Sequence, residues 1–186
     1  MIRHLCLALA AAALTVAATA QTTSNKDEEA VTYAFAIHGG AGTITREDLT
    51  DALETAYRDK LLAALQAGEA VLAKGGAAPD AVIAAMTVME ESPLFNAGKG
   101  AVYTADGRNE LDASIMDGAT LNAGAVAGVS RVQSPIALAR AVMDHSAHVM
   151  LSGGGAQDFA RDQGIALVSP LYFHTERRFQ DILRLQ

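Results

Sequence analysis

The segment His38-Gly39-Gly40 is the first place in this 186-residue sequence where residue types and spacing point to chemistry. It follows an apolar run, and the backbone N–H groups of Gly39 and Gly40 could donate hydrogen bonds to an oxyanion, as in esterases. An esterase also needs Gly-x-Ser-x-Gly, but Ser130 lacks the second glycine of that motif and no other serine fits it. Esterase function is therefore excluded. A tight turn between a strand and a helix explains the two glycines equally well.

Asn96 is the second candidate, within the segment Pro93-Leu94-Phe95-Asn96-Ala97-Gly98-Lys99-Gly100. A carboxamide that offers both donors and an acceptor suits a fixed hydrogen-bonding role between an apolar neighbour and permissive glycines. A turn residue with left-handed backbone would give the same local pattern. These residues alone leave both interpretations open.

Glu90 and Glu91 stand at the end of a predicted helix, where the helix dipole disfavours negative charge. A cation held by backbone carbonyls of the following loop would offset this unfavourable placement. Without such a cation the two side chains would be solvated charges. Composition alone favours the solvated charges.

Two further patterns carry weaker signals. Ser152-Gly153-Gly154-Gly155 could hold a phosphate at a helix N-terminus. It lacks the Lys-Ser/Thr of a P-loop and the spacing of a dinucleotide fingerprint, so backbone packing is favoured. His145 and His148 have metal-ligand spacing, but a predicted helix-to-strand junction separates them and nothing else supplies a third ligand. We expect surface or helix-capping histidines.

The composition excludes a nucleic-acid-binding protein and a disordered chain. There are 14 Lys and Arg residues against 21 Asp and Glu, for a formal charge of −7, whereas nucleic-acid binders carry a basic face. Apolar residues make up 51% of the chain, which is enough for a sizeable core.

The first 20 residues have the pattern of a secretory signal peptide. The apolar run Leu5–Val16 is followed by Ala18-Thr19-Ala20, and cleavage is predicted after Ala20. The run is too short to span a bilayer comfortably. We expect a secreted, periplasmic protein with no membrane partner, in which residues 21–31 form a flexible leader. Cleavage would also remove Cys6, the one cysteine of the sequence, and with it any thiol chemistry.

Hydrophobic periodicity and turn residues predict an α/β protein. The predicted elements, in order, are a strand Thr32–Ile37, a helix capped by Thr45 and ending near Lys74, a helix from Pro79 to about Glu91, a loop Ser92–Gly100, strands Ala101–Thr104, Glu110–Met116 and Leu121–Ser130, a helix from Ser134 to about Met143, a strand His148–Leu151, a helix ending near Gly164, and a helix capped by Thr175 that continues to Gln186. These strands are too few for two well-covered sheets. We therefore expect the polypeptide to continue beyond Gln186.

Four segments, taken in order, resemble the α-subunit half of plant-type L-asparaginases, also called isoaspartyl peptidases. They are Ala36–Gly42, Pro93–Gly100, Glu110–Gly118 with Ala123–Val129, and His148–Ala156. The resemblance covers Tyr33 to Gln186 and defines residues 32–186 as an α-subunit region. It implies an N-terminal-nucleophile hydrolase with a four-layer αββα sandwich, incomplete in this chain, and no organic cofactor.

The resemblance also implies a precursor that cleaves itself and frees the threonine that begins a β subunit. The threonine hydroxyl attacks the side-chain amide of asparagine or the bond of a β-aspartyl dipeptide, and its own amine serves as the base. Gly42-Thr43 is the one Gly-Thr pair here and belongs to the first motif, so the nucleophile is expected beyond this chain. The partners implied are the chain's own β subunit, in an αβ heterodimer that pairs into a dimer of heterodimers.

Carried over residue by residue, the resemblance gives Asn96 a supporting role beside the nucleophile and places Gly39 and Gly40 in a mobile loop beside the site. It also implies a structural sodium ion held by backbone carbonyls of six residues, Met89, Glu90, Ser92, Phe95, Ala97 and Lys99. Ser92 replaces a cysteine often found there, and Lys99 replaces an apolar residue. The residues that grip the substrate belong to the β subunit. Two alternatives remain: a non-catalytic binding protein, and an amidohydrolase of the glycosylasparaginase type.

Overall fold

A computed structural model describes residues 33–40 and 49–185 of the chain. The predicted signal peptide and leader, and the predicted helix cap Thr45, lie outside these residues. The elements are the helices α1 (Asp51–Leu72), α2 (Ala78–Glu90), α3 (Pro135–His145), α4 (Gly153–Asp162) and α5 (Glu176–Leu185), the strands β1 (Leu111–Met116), β2 (Ala123–Val129) and β3 (Met150–Ser152), and two short 3₁₀ helices, Gly98–Gly100 and Pro170–Phe173. The α/β class is therefore confirmed.

The three strands form one sheet in the order β1-β2-β3. β1 and β2 are antiparallel and β2 and β3 are parallel. Side chains alternate along a strand, and the buried ones, such as Leu111, Ile115 and Val126, pack with Leu138 and Val142 of α3 in the larger core cluster. α4 contacts the same sheet. The helices thus cover one face of the sheet.

Gly124 permits the close approach of α3 to β2. A Cβ atom at this position would overlap the carbonyl oxygen of Ala139 and the backbone nitrogen of Met143. A sheet residue without a side chain is therefore needed at this contact.

A second, smaller core cluster holds α1 against α2. Ala64, Ala85 and Met89 are buried there together with Phe95. Phe35 packs on the cluster, and Gly68 of α1 leaves the space that its ring occupies. The sequence around residue 35 is thus positioned by the helix pair.

The prediction of a strand over Thr32–Ile37 is wrong for the residues that the structure describes. Residues 33–37 are assigned to no strand. Phe35 and Ile37 are half-buried while Ala34 and Ala36 are exposed, so the alternation that predicted a strand is present. A strand also requires a hydrogen-bonded neighbour, and within 33–40 and 49–185 no neighbour pairs with this segment.

Two other boundaries differ from the predictions. α1 begins at Asp51, later than predicted, because the Thr50 hydroxyl accepts a hydrogen bond from the Leu53 N–H at 3.2 Å and caps it. The predicted strand Ala101–Thr104 is reduced to a single bridge between Tyr103 and Asn109. Asn109 explains the reduction, because its side-chain amide donates to the carbonyls of Ala101 and Val102 that a strand neighbour would otherwise bind.

The remaining elements follow the predictions closely. α2 carries Pro79 in its first turn, and Ser134 caps α3 by accepting from the Ala137 N–H. β3 begins at Met150, two residues later than predicted, and α5 begins directly after Thr175. No helix among the described residues is long and apolar enough to cross a membrane.

Candidate functional site

Glu90, the last residue of α2, is buried and only 4% exposed. Its carboxyl accepts hydrogen bonds from the Ser134 hydroxyl at 2.6 Å and from the Ile136 N–H at 2.9 Å. Both donors belong to the N-terminus of α3, where a negative charge is favoured. The expectation of a solvated charge is therefore wrong for Glu90, whereas Glu91 is exposed as expected.

Burial raises the pKa of Glu90 to about 7, and the charge of neighbouring Glu91 adds to the rise. The hydrogen bonds from Ser134 and Ile136 act in the opposite direction but are outweighed. Burial therefore favours the protonated form of this carboxyl well above the pH at which an exposed glutamate loses its proton.

Asn96 lies on the loop that follows α2. Its Oδ1 accepts a hydrogen bond from the Val102 N–H at 2.9 Å. Because the amide oxygen is engaged with the backbone, the Asn96 NH₂ group is the part left to donate to a ligand. Asn96 lines a cavity of about 380 Å³ together with Glu90.

Asp112 and Ser114 of β1 also line this cavity, together with Glu110, which directly precedes the strand. Asp112 has a structural partner, because its Oδ1 accepts from the Gly128 N–H at 2.8 Å. The β1–β2 register shifts between Leu111 and Ala113, and Asp112 satisfies the donor beside this bulge. Among the described residues, no cluster of His, Cys, Asp or Glu has the arrangement of a metal site.

Gly39 and Gly40 line a different cavity, of about 320 Å³, with Tyr57, Leu61 and Phe95. The Gly40 N–H donates a hydrogen bond to His38 Nδ1 at 3.2 Å, so its partner lies within the same loop. Phe95 borders this cavity and Asn96 borders the other one. The structure therefore does not bring the two glycines and Asn96 into one cavity.

The loop after α2 folds back tightly on its own carbonyl groups. A Cβ atom on Gly98 would overlap the Glu90 carbonyl oxygen, and one on Gly100 would overlap that of Phe95. The carbonyls of Met89 and Ala97 accept hydrogen bonds from the N–H groups of Ser92 and Gly100, at 3.1 and 3.0 Å. Four of the six carbonyls expected to hold sodium thus lie in the last turn of α2 and in the compact, glycine-dependent loop that follows it.

The two departures from the expected loop sequence have local partners. The buried Ser92 hydroxyl accepts from the Leu94 N–H at 3.3 Å, so the serine is integrated into the turn. The Lys99 ammonium lies 5.6 Å from the centre of the Tyr172 ring, in a cation–π contact. The Lys99 charge therefore interacts with an aromatic ring outside the loop.

The two weaker patterns, the histidine pair and the glycine run, differ in what the structure shows of them. The described residues hold no metal cluster that includes His145 or His148. Gly153, Gly154 and Gly155 have open space where a Cβ would stand, so close backbone packing does not explain them. Gly153 alone needs glycine, since its φ is +54°.

Comparison with protein-family models gives a match to the family described as asparaginase, over residues 31–186. The chain belongs to this asparaginase family. It is 50% identical over 149 residues to the isoaspartyl peptidase of Salmonella typhimurium, which covers 80% of the chain and 48% of that relative. The isoaspartyl peptidase of Escherichia coli is 49% identical over 149 residues, 80% of the chain and 46% of that protein. The plant-type L-asparaginase of Pyrococcus abyssi is 43% identical over 149 residues, 80% of the chain and 47% of that protein.

The chain spans about half the length of the curated relatives it matches. The resemblance identified from four sequence segments is confirmed at the level of the family.

Sequence reasoning missed part of the cavity that Asn96 and Glu90 line. Glu110, Asp112 and Ser114 were assigned to a strand but not to a site. Their spacing of two residues was the available signal, because it predicts three polar side chains on one face. The burial of Glu90 had no comparable signal, since its partners Ser134 and Ile136 are more than 40 residues away in sequence.

Proposed function

We propose that this chain is the α-subunit region of an isoaspartyl peptidase/L-asparaginase, a hydrolase of the asparagine side-chain amide and of β-aspartyl dipeptides. The observation that carries the proposal is its membership of the asparaginase family, with 50% identity to a protein named isoaspartyl peptidase. The nucleophile is the N-terminal threonine of a β subunit located beyond Gln186. The two parts together form the four-layer sandwich, and two such heterodimers pair.

In the proposed reaction the threonine hydroxyl attacks the carbonyl carbon of the substrate amide, and the threonine amine accepts the hydroxyl proton. The amine passes this proton to the leaving nitrogen as the carbon–nitrogen bond breaks, so that ammonia or an amino acid leaves and an acyl-enzyme forms. Water then attacks the ester carbonyl, and a proton from this water returns to the threonine oxygen through the amine as aspartate is released. The Val102 N–H holds the side-chain oxygen of Asn96. The NH₂ group of the same amide donates a hydrogen bond that orients the nucleophile. Gly39 and Gly40 form the loop beside the site.

A sodium ion bound by the carbonyls of the loop after α2 would supply positive charge that holds these carbonyls together. The tight approach of Gly98 and Gly100 to the carbonyls of Glu90 and Phe95 supports this proposal. Melting the protein from its complete gene in sodium chloride and in choline chloride, at equal ionic strength, tests it. We expect a higher melting temperature in sodium, since a ligand of the folded state alone stabilises that state. Equal melting temperatures would contradict the proposal.

The catalytic proposal is tested by expressing the complete gene and measuring ammonia from L-asparagine and leucine from β-aspartyl-leucine. Asn96→Ala should lower kcat by about a hundredfold, the typical effect of removing one positioned donor. Asn122→Ala is the matched control, because Asn122 is exposed in the β1–β2 hairpin. An unchanged kcat for Asn96→Ala would remove Asn96 from the mechanism.

Residues 21–186 alone should release no ammonia, and a separately supplied β subunit should restore activity. Ammonia release by residues 21–186 without another chain would contradict the placement of the nucleophile. Activity of the complete protein on glycosylated asparagine alone would favour the glycosylasparaginase alternative.

Export to the periplasm, by cleavage after Ala20, is also part of this proposal. The N-terminal sequence of the protein recovered from a periplasmic extract tests it, and Gln21 is the expected first residue. An intact N-terminus in the cytoplasmic fraction would contradict export.

A further inference from the structure

Arg178 of α5 binds the end of the loop after α2, the loop that carries Asn96. The Arg178 Nε–H donates to the Gly100 carbonyl oxygen at 2.9 Å. The Arg178 side chain is only 15% exposed, and its NH1 lies 3.6 Å from Asp181 one turn later in the helix. A hydrogen bond from a charged donor in such a sheltered place is stronger than one between neutral groups.

The neighbouring Arg177 reaches the beginning of the same loop through a tyrosine. Its guanidinium donates to the Tyr57 hydroxyl at 2.9 Å. The Tyr57 hydroxyl donates in turn to the Leu94 carbonyl at 2.8 Å. Two adjacent residues of α5 therefore hold the loop on both sides of Asn96.

Gly100 belongs to the segment whose backbone binds the Asn96 amide. Val102, two residues after Gly100, supplies the N–H that fixes Asn96 Oδ1. Asn109 is buried and donates to the carbonyls of Ala101 and Val102, so residues 100–102 are held by side chains along their length. A displacement of Gly100 would move the Val102 N–H and release the amide.

α5 is seated on this segment by an aromatic contact as well. The Phe179 ring meets the Tyr103 ring edge-on, with centroids 6.2 Å apart. Tyr103 follows directly after Val102, and its hydroxyl lies 2.6 Å from His174 Nδ1. The helix therefore contacts the segment at Gly100 and at Tyr103, on both sides of the N–H that Asn96 binds.

We propose that Arg178 is a positioning residue, which sets the orientation of the Asn96 amide by holding the Gly100 carbonyl. Arg177 and Tyr57 fix the other end of the loop. The catalytic consequence rests on the proposed function, whereas the structural consequence does not. No role for Arg178 follows from the sequence motifs, because it lies outside all four.

Amide hydrogen exchange on the protein from its complete gene tests the structural step. In Arg178→Ala the Val102 amide should exchange about tenfold faster, as expected for the loss of one hydrogen bond from a charged donor. Amides of α1 and β2 should keep their protection. Arg184→Ala is the matched control, because Arg184 pairs with the same Asp181 but is 73% exposed. Unchanged Val102 exchange, or an equal acceleration in α1 and β2, would overturn the inference.

Steady-state kinetics on L-asparagine test the catalytic step. Arg178→Ala should lower kcat about tenfold with KM unchanged, because the amide is misplaced while substrate binding is not. Arg178→Lys keeps a cationic donor and should recover part of kcat. A wild-type kcat in Arg178→Ala would overturn the inference and leave the proposed function standing. A wild-type protein inactive on both substrates, with the exchange result as expected, would overturn the proposed function and leave the positioning of the loop standing.

Discussion

The buried carboxyl of Glu90 joins the end of one helix to the beginning of another. At the C-terminus of α2 its charge faces the negative end of the dipole, and at the N-terminus of α3 it faces the positive end. The Ser134 hydroxyl and the Ile136 N–H, both from α3, complete its hydrogen bonding. A residue that is unfavourable in its own helix is thus accommodated by the next one.

The raised pKa of Glu90 predicts a pH dependence of stability. The folded protein holds the proton up to about pH 7, while the unfolded chain loses it near the ordinary value of 4.5. The stabilisation that the Glu90 proton gives to the folded state is therefore fully present below pH 4.5. It is lost as the pH rises to 7, which lowers the free energy of unfolding by about 3 kcal/mol in total. Glu90→Gln resembles the protonated form and should lack this loss. Urea unfolding between pH 4.5 and 8, at fixed sodium concentration, measures it.

The control for this prediction is Glu91→Gln, which changes an exposed neighbour. It should leave most of the pH dependence in place, because burial is the main cause of the Glu90 shift. Parallel stability curves for the wild type and Glu90→Gln would show that Glu90 does not titrate in this range.

The helices α2 and α3 could be predicted from residues close in sequence to their starts. The neighbours with which strands pair could not be predicted from the sequence. Pro79 and Ser134 mark their helix starts through contacts within a few residues. The segment 33–37 has the alternation of a strand but lacks a neighbour among the described residues, and alternation cannot supply one. Likewise Asn96 was identified from its neighbours, but the separation of its cavity from that of Gly39 depends on how Phe95 packs.

The loop after α2 needs glycine at position 98 because φ is positive there and because there is no space for a side chain. Gly107 shares only the positive φ, so a comparison of the two positions separates the two effects. Gly98 and Gly107 both have positive φ, +48° and +74°. A Cβ on Gly98 would also overlap the Glu90 carbonyl, whereas Gly107 has open space around it. Gly107→Ala should therefore cost about 1 kcal/mol of stability, and Gly98→Ala about 3 kcal/mol or more, from the added clash. Urea unfolding of both variants checks this, and equal losses would show that the loop yields to the added methyl group.

Among the described residues, helices cover only one face of the sheet. α3 and α4 pack on the face that carries Ile115 and Val126. On the other face Met116 and Met150 are 57% and 54% exposed. A sheet layer with large exposed apolar side chains is typical of an interface. This supports the proposed second sheet layer from a β subunit.

The uncovered face predicts how residues 21–186 behave when they are produced alone. Without the proposed covering layer, Met116 and Met150 remain open to other chains, and so does the outer edge of β1, which pairs with no strand in residues 33–40 and 49–185. We therefore expect concentration-dependent self-association in sedimentation velocity and binding of an apolar dye. Met116→Lys with Met150→Lys should reduce both, because charge on a sheet surface opposes edge-to-edge and face-to-face contact. Leu171→Lys, on a leucine that is 79% exposed in the 3₁₀ helix Pro170–Phe173, should not. A compact monomer with cooperative melting and no dye binding would mean that the face needs no covering layer, which would favour a binding protein complete without a β subunit.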